Sequence, residues 1–141
     1  MNCVIAPGHR YMAYVEDDED DRELFTEVAE AAQLSVRCFP DGRALLAQLA
    51  TAPEAPPCLI LLDMKNPVIS GPETYALLCA DERFRSIPVK FFSTSIDFVD
   101  TGDGPDASQV ELIPKPDVYN DWVGLIARLA DLCREPVPGD V

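Results

Sequence analysis

The chain has 141 residues, a formal net charge of −14 and 48% hydrophobic residues. That length suits a single domain with a sizeable core, and the apolar content is that of a globular protein. The charge opposes unguided binding to nucleic-acid phosphates and to anionic membrane surfaces, which leaves cations and basic proteins as the fitting partners.

Apolar runs of strand length alternate with segments of helical period along the chain. Tyr11 to Val15 reads as a first strand, and Asp21 to Gln33 as a helix carrying Leu24, Phe25, Val28 and Ala32 on one face. Leu34 to Phe39 is a second strand. Asp41-Gly42 opens a second helix with Leu45, Leu46 and Leu49, and Pro53 to Pro57 is a loop. Leu59 to Leu62 is a continuous apolar strand of the kind buried on both faces, and Pro72 to Ala80 is a helix with Pro in its first turn. Val89 to Phe92 and Val110 to Ile113 complete five strands, and Val118 to Cys133 forms a last helix with Trp122, Leu125, Ile126, Leu129 and Leu132 facing inward.

Five strands alternating with helices predict an α/β fold, a parallel sheet wound on both faces, whose ligands bind at the carboxyl ends of the strands. One connection departs from the pattern. A helix is due between Ser95 and Val110, yet Gly102, Gly104 and Pro105 interrupt it; each Gly costs a helix about 1 kcal/mol and an interior Pro about 3, so a single turn followed by loop is expected.

The amino-terminal residues lack the basic start and long apolar stretch of a signal peptide, and no run reaches the roughly eighteen apolar residues of a membrane span. The expectation is a soluble, cytoplasmic protein. Five cysteines (Cys3, Cys38, Cys58, Cys79, Cys133) are scattered without a C-x-x-C pair, which reads as reduced thiols with neither a disulfide framework nor a structural metal.

Asp63 carries the most information. It ends the run Cys58-Leu59-Ile60-Leu61-Leu62 and precedes Met64-Lys65-Asn66-Pro67 and Ser70-Gly71, so it places a carboxylate at the end of a buried strand with a turn directly after it. Taken alone, such an Asp could simply cap the turn. Three further features stand at strand ends: Glu16-Asp17-Asp18 upstream, Ser93 downstream, and Lys115 between two prolines. Asp18 to Asp21 and Glu23 read as acids that favour a helix start. An EF-hand loop beginning at Asp17 would need Gly where Arg22 stands and Glu where Val28 stands. A haloacid-dehalogenase phosphatase would need an acid where Lys65 stands, and a flavodoxin phosphate cradle is incompatible with the carboxylates after the first strand.

From Tyr11 to about Cys133 the chain resembles the receiver domain of bacterial two-component response regulators. The resemblance rests on Val15-Glu16-Asp17-Asp18, on Leu61-Leu62-Asp63 with Pro67 and Gly71, on Ile87-Pro88-Val89 through Ser93, and on Lys115-Pro116. It implies a flavodoxin-like sheet in the order 2-1-3-4-5, with residues 11–134 as the receiver, 1–10 as an amino-terminal extension and 135–141 as a tail. It also implies a phosphoacceptor, Asp63, that takes a phosphoryl group from a sensor histidine kinase in a Mg2+-dependent reaction. In this family pattern Asp17 is a direct metal ligand, Glu16 acts through water, Asp63 and the main-chain carbonyl of Lys65 contribute, and Lys115 and Ser93 hold the phosphoryl oxygens. Such a protein is a signalling module rather than an enzyme, self-catalysed phosphoryl transfer and loss aside.

The chain departs from the pattern both at the acceptor site and on the output side. Lys65 stands where Asn is common, Ser93 replaces the more usual Thr, and Leu112 stands where many receivers carry a switching aromatic residue. The missing aromatic residue at Leu112 and the interrupted fourth helix also admit a pseudo-receiver, a protein-binding module that works without phosphorylation. With eight residues after Cys133 the expectation is a stand-alone receiver acting by phosphorelay or by phosphorylation-dependent binding of a downstream protein. The segment Asp81 to Ser95 and the Trp122 helix are most similar to the small receivers that accompany phytochrome-type kinases. Those relatives often pair through the fourth helix, fifth strand and fifth helix, an arrangement that would give a homodimer.

Overall fold

The computed structural model describes residues 11–51, 56–93 and 110–134. Five strands, β1 (Met12–Val15), β2 (Val36–Phe39), β3 (Leu59–Asp63), β4 (Val89–Ser93) and β5 (Leu112–Pro114), form one parallel sheet in the order β2-β1-β3-β4-β5. Among the described residues there are four α-helices: α1 (Glu19–Ala31), α2 (Gly42–Thr51), α3 (Gly71–Cys79) and α4 (Tyr119–Arg134). This is the flavodoxin-like doubly wound arrangement. The expected interruption of the helix between Ser95 and Val110 lies outside the described residues, as do the two terminal segments. None of the described helices is long and apolar enough to cross a membrane.

Burial follows from topology. β1 and β3 lie inside the sheet and are buried along their whole length, whereas β2 and β5 at the edges are only partly covered. Helices α1 and α4 pack together on one face, and α2 and α3 on the other. The α1/α4 face is built on Met12, Tyr14, Phe25, Leu61, Phe92, Trp122, Ile126 and Leu129, and the α2/α3 face on Ala13, Val15, Leu45, Ile60, Leu62, Leu78 and Phe91. The period-2 alternation of β1 assigns its residues to those two faces.

Helix boundaries differ from expectation for local reasons. Asp18 caps α1 by accepting from the N–H groups of Asp20 (2.9 Å) and Asp21 (3.3 Å), so the helix starts at Glu19 rather than Asp21. At its other end Gln33 adopts φ 61°, its N–H bonds to Glu30 O (3.0 Å), and Leu34 N–H bonds to Ala29 O (2.9 Å). These two bonds form a Schellman motif with Gln in the place usually held by Gly, and they claim Leu34 for the helix stop; β2 therefore begins at Val36. In α4 the inward positions are Trp122, Ile126, Leu129 and Cys133, while Leu132 faces outward at 41% exposure. Spacings of four, three and four hold one helical stripe, and Leu132 lies about 100° away from Cys133.

The cysteine expectation is corrected outright. Cys58, just before β3, and Cys133, near the end of α4, form a disulfide with their Cα atoms 5.3 Å apart across a sequence separation of 75. Sequence spacing cannot reveal a pair that only the packing of α4 beneath the sheet brings together. The inference of a reducing compartment from scattered cysteines loses its footing with it.

Candidate functional site: an acidic pocket at the strand ends

Sheet register assembles the site. Val15 pairs with Leu62, so the next residues, Glu16 and Asp63, emerge side by side; Asp63 pairs with Phe92, and Ser93 pairs with Pro114, directly before Lys115. Backbone bonds extend each strand past its end: Glu16 N–H to Phe39 O (2.9 Å), Met64 N–H to Phe92 O (2.9 Å) and Lys115 N–H to Ser93 O (2.7 Å). All four elements thus deliver their functional side chains to one carboxyl-terminal edge.

The turn after Asp63 is held by close packing. Gly71 N–H bonds to Met64 O at 3.1 Å, and a Cβ at Gly71 would lie 2.9 Å from Asp63 O, so only glycine lets α3 begin this near to the strand end. Ser70 and Glu73 form a capping box that starts α3. Asn66, buried, donates from Nδ2 to Pro40 O (2.8 Å) and accepts from Val68 N–H (3.0 Å), which hooks this loop to the one after β2.

Carboxylate oxygens of Glu16, Asp17 and Asp63 lie within 4.8 Å of one another. Glu16 and Asp63 are buried and Asp17 is exposed. Lys115 binds this group from one side. Its ammonium donates to Glu16 Oε1 and to Asp21 Oδ2 (3.1 Å), with Asp63 Oδ1 at 4.0 Å, and it lies 5.6 Å from the centroid of the Phe92 ring. Glu16 is fully engaged: Oε1 also accepts from the Tyr14 hydroxyl (3.1 Å), Oε2 accepts from Asp18 N–H (3.3 Å), and its carbonyl accepts from Arg22 Nη1 (2.7 Å).

Burial pushes the Asp63 carboxyl above the usual carboxylate range; Lys115 and the Lys65 N–H pull against it, and Asp17 adds to it. Glu16 is raised for the same first reason, with Lys115 opposing and Asp63 reinforcing. Burial works against the Lys115 ammonium, but Glu16 and Asp63 outweigh it and raise its pKa. The buried phenol of Tyr14 is pushed up by desolvation and then by Glu16, so it remains a proton donor. A pocket with more carboxylates than cations, all of them hard oxygen donors, has the chemistry of a Mg2+ site.

Glu16, Asp17, Asp63 and Lys115 are thus brought together. Ser93 is buried at the same edge, one position beyond the partner of Asp63, and Lys65 is exposed in the turn. Two residues escaped the sequence reading. Asp21 reads in sequence only as a helix-start acid, although a first-turn residue three beyond the Asp18 cap can point back over the strand ends. Tyr14 reads as plain core, although it stands two residues before Glu16 and so shares that residue's side of the strand.

The model of the response regulator receiver domain matches residues 12–123. No curated protein matches the chain. Among solved structures, the phosphorylated cyanobacterial phytochrome response regulator RcpA is 26% identical, with a TM-score of 0.72 over 89% of this chain and 94% of that one. The bacteriophytochrome response regulator RtBRR is 27% identical, with a TM-score of 0.65 over 93% and 86%. The Mn(2+)-bound form of response regulator Rcp1, at 22% identity, shares the fold with a TM-score of 0.72 over 92% and 97%. With most of its length matched and the acidic edge in place, the chain belongs to the response regulator receiver domains, the signalling modules of two-component systems.

Proposed function

We propose that Asp63 is the phosphoacceptor for a sensor histidine kinase. An Asp63 oxygen attacks the phosphorus of a phosphohistidine, the P–N bond breaks, and its electron pair leaves with the histidine nitrogen, giving an acyl phosphate on Asp63. A Mg2+ ion held by Asp17, Asp63 and the Lys65 carbonyl, with Glu16 acting through water, would neutralise charge on the phosphoryl oxygens. Commitment of both Glu16 oxygens to protein donors supports that indirect role. The Lys115 ammonium and the Ser93 hydroxyl then donate to the phosphoryl group. Likeness to RcpA and RtBRR favours a kinase of the phytochrome type, with a downstream protein or phosphorelay partner reading the phosphorylated state and a homodimer as one assembly.

The observation that carries this reading is the Lys115 ammonium set between Glu16 and Asp63 at adjoining strand ends. A beryllofluoride titration with Mg2+, followed by Trp122 fluorescence, tests it. Trp122 stands 5.5 Å from the Phe92 ring over which Lys115 lies, so a saturable, Mg2+-dependent signal is expected, and Asp63→Asn should abolish it. No signal in the wild type, or the same signal in Asp63→Asn, would overturn the phosphoacceptor reading in favour of a phosphorylation-independent binding module.

A further inference from the structure

Lys115 lies closer to two carboxylates that receive no phosphoryl group than to the one that does. Its Nζ reaches Glu16 Oε1 and, at 3.1 Å, Asp21 Oδ2, while Asp63 Oδ1 is 4.0 Å away. Asp21 falls outside the cluster Glu16, Asp17 and Asp63 whose oxygens converge. Its backbone is held by the Asp18 cap, and its side chain reaches from the first turn of α1 to a lysine 94 residues away in sequence.

From this geometry, and resting on the phosphoacceptor reading above, we infer that Asp21 is a positioning residue that holds Lys115 away from Asp63 and yields it when a phosphoryl group arrives. An ammonium has three donors and a fixed charge, so what it gives to Asp21 is not available to a new anion. The phosphoryl group, with more charge and three acceptor oxygens, is the stronger partner. Which carboxylate lets go is decided by solvation. The Glu16 side chain is 2% exposed and would be left buried and short of a cation, whereas the Asp21 side chain is 28% exposed and sits at a helix start, where water and the helix dipole stabilise its charge. Asp21 therefore sets how tightly the site grips a phosphoryl group, and it ties that grip to the first turn of α1.

The test is the affinity for beryllofluoride at saturating Mg2+, with Mg2+ affinity measured separately and unfolding in urea as a check on the fold. Asp21→Asn should bind beryllofluoride about fivefold tighter, the loss of one partly exposed ion pair. Asp20→Asn removes the same charge one residue earlier, from an exposed side chain outside the Lys115 contacts, and should change it by less than about twofold, the size of a screened field effect. Asp21→Glu should return towards wild type, and Asp21→Ala serves if Asp21→Asn unfolds early. Equal affinities for wild type and the Asp21 variants, or equal gains for Asp20→Asn and Asp21→Asn, would overturn the role of Asp21. A wild type that does not bind beryllofluoride would instead overturn the phosphoacceptor reading itself.

Discussion

The two faces of the sheet are built differently, although both are closed by a pair of helices. On the α1/α4 face the core is aromatic: Tyr14 stacks on Phe25 with ring centroids 4.3 Å apart, and Phe92 and Trp122 meet edge to face at 5.5 Å. Two members of that group touch the acidic pocket, Tyr14 through its hydroxyl on Glu16 and Phe92 beneath the Lys115 ammonium. The α2/α3 face has aromatic rings as well, Phe84 and Phe91 among Leu45, Ile60, Leu62 and Leu78, but no described hydrogen bond or cation–ring contact joins them to the charged side chains of the pocket. A phenol can be core and still hydrogen-bond into a site, and a ring face can be core and still take up a cation, but only where the ring stands next to the charged groups, as Tyr14 and Phe92 do. The α1/α4 face is thus the one through which the charge state of the pocket can be felt.

Stability and site chemistry should separate along this divide. The largest effect belongs to the disulfide beneath the aromatic face. Cys133→Ser opens a loop of 75 residues' separation and should cost roughly 4 kcal/mol on the chain-entropy account, read by urea unfolding under oxidising conditions. A wild type whose midpoint is unmoved by reductant would show that the link contributes nothing. Next, Leu45→Ala on the α2/α3 face, at a fully buried position, should cost about 3 kcal/mol. It should nevertheless leave beryllofluoride affinity within about twofold, because separated sites without shared partners act independently. A large affinity change there would erase the distinction between the faces.

The smallest effect is a pH dependence at Asp63. Its raised pKa means that the native state keeps the proton to higher pH than the unfolded chain, whose value is near 3.8. Stability tied to this group is therefore present below that value and is lost as pH rises through the native pKa. Asp63→Asn removes the cost, so without added metal the variant should outlast wild type in urea at neutral pH. The gap should close as the pH falls to about 4, and a gap that persists there would rule out burial of the charge as its cause.

Much of this was legible in the sequence because it is local. Alternating apolar runs located five strands, and Glu16, Asp17, Asp63 and Lys115 each directly follow a strand or lie within two residues of its end. What stayed hidden depends on contacts between distant segments. Within the run Glu16 to Asp21 nothing local distinguishes the acid that meets Lys115 from those that meet water. Cys58 and Cys133 look like ordinary core thiols until α4 is laid against the sheet. The late start of β2 follows from a helix stop that lacks the usual glycine, because Gln33 takes the left-handed conformation unannounced.

The Asn66 hook also bears on how freely the chain can be altered. Pro40 is exposed and sits between two elements, the kind of place where an insertion or a fused tag is usually tolerated. Yet its carbonyl holds the Asn66 amide, one residue beyond Lys65 and three beyond Asp63. An added residue there would draw that anchor away from the turn that shapes the pocket. The loop after β2 is therefore a poor insertion point, and its length is constrained by a turn that follows another strand.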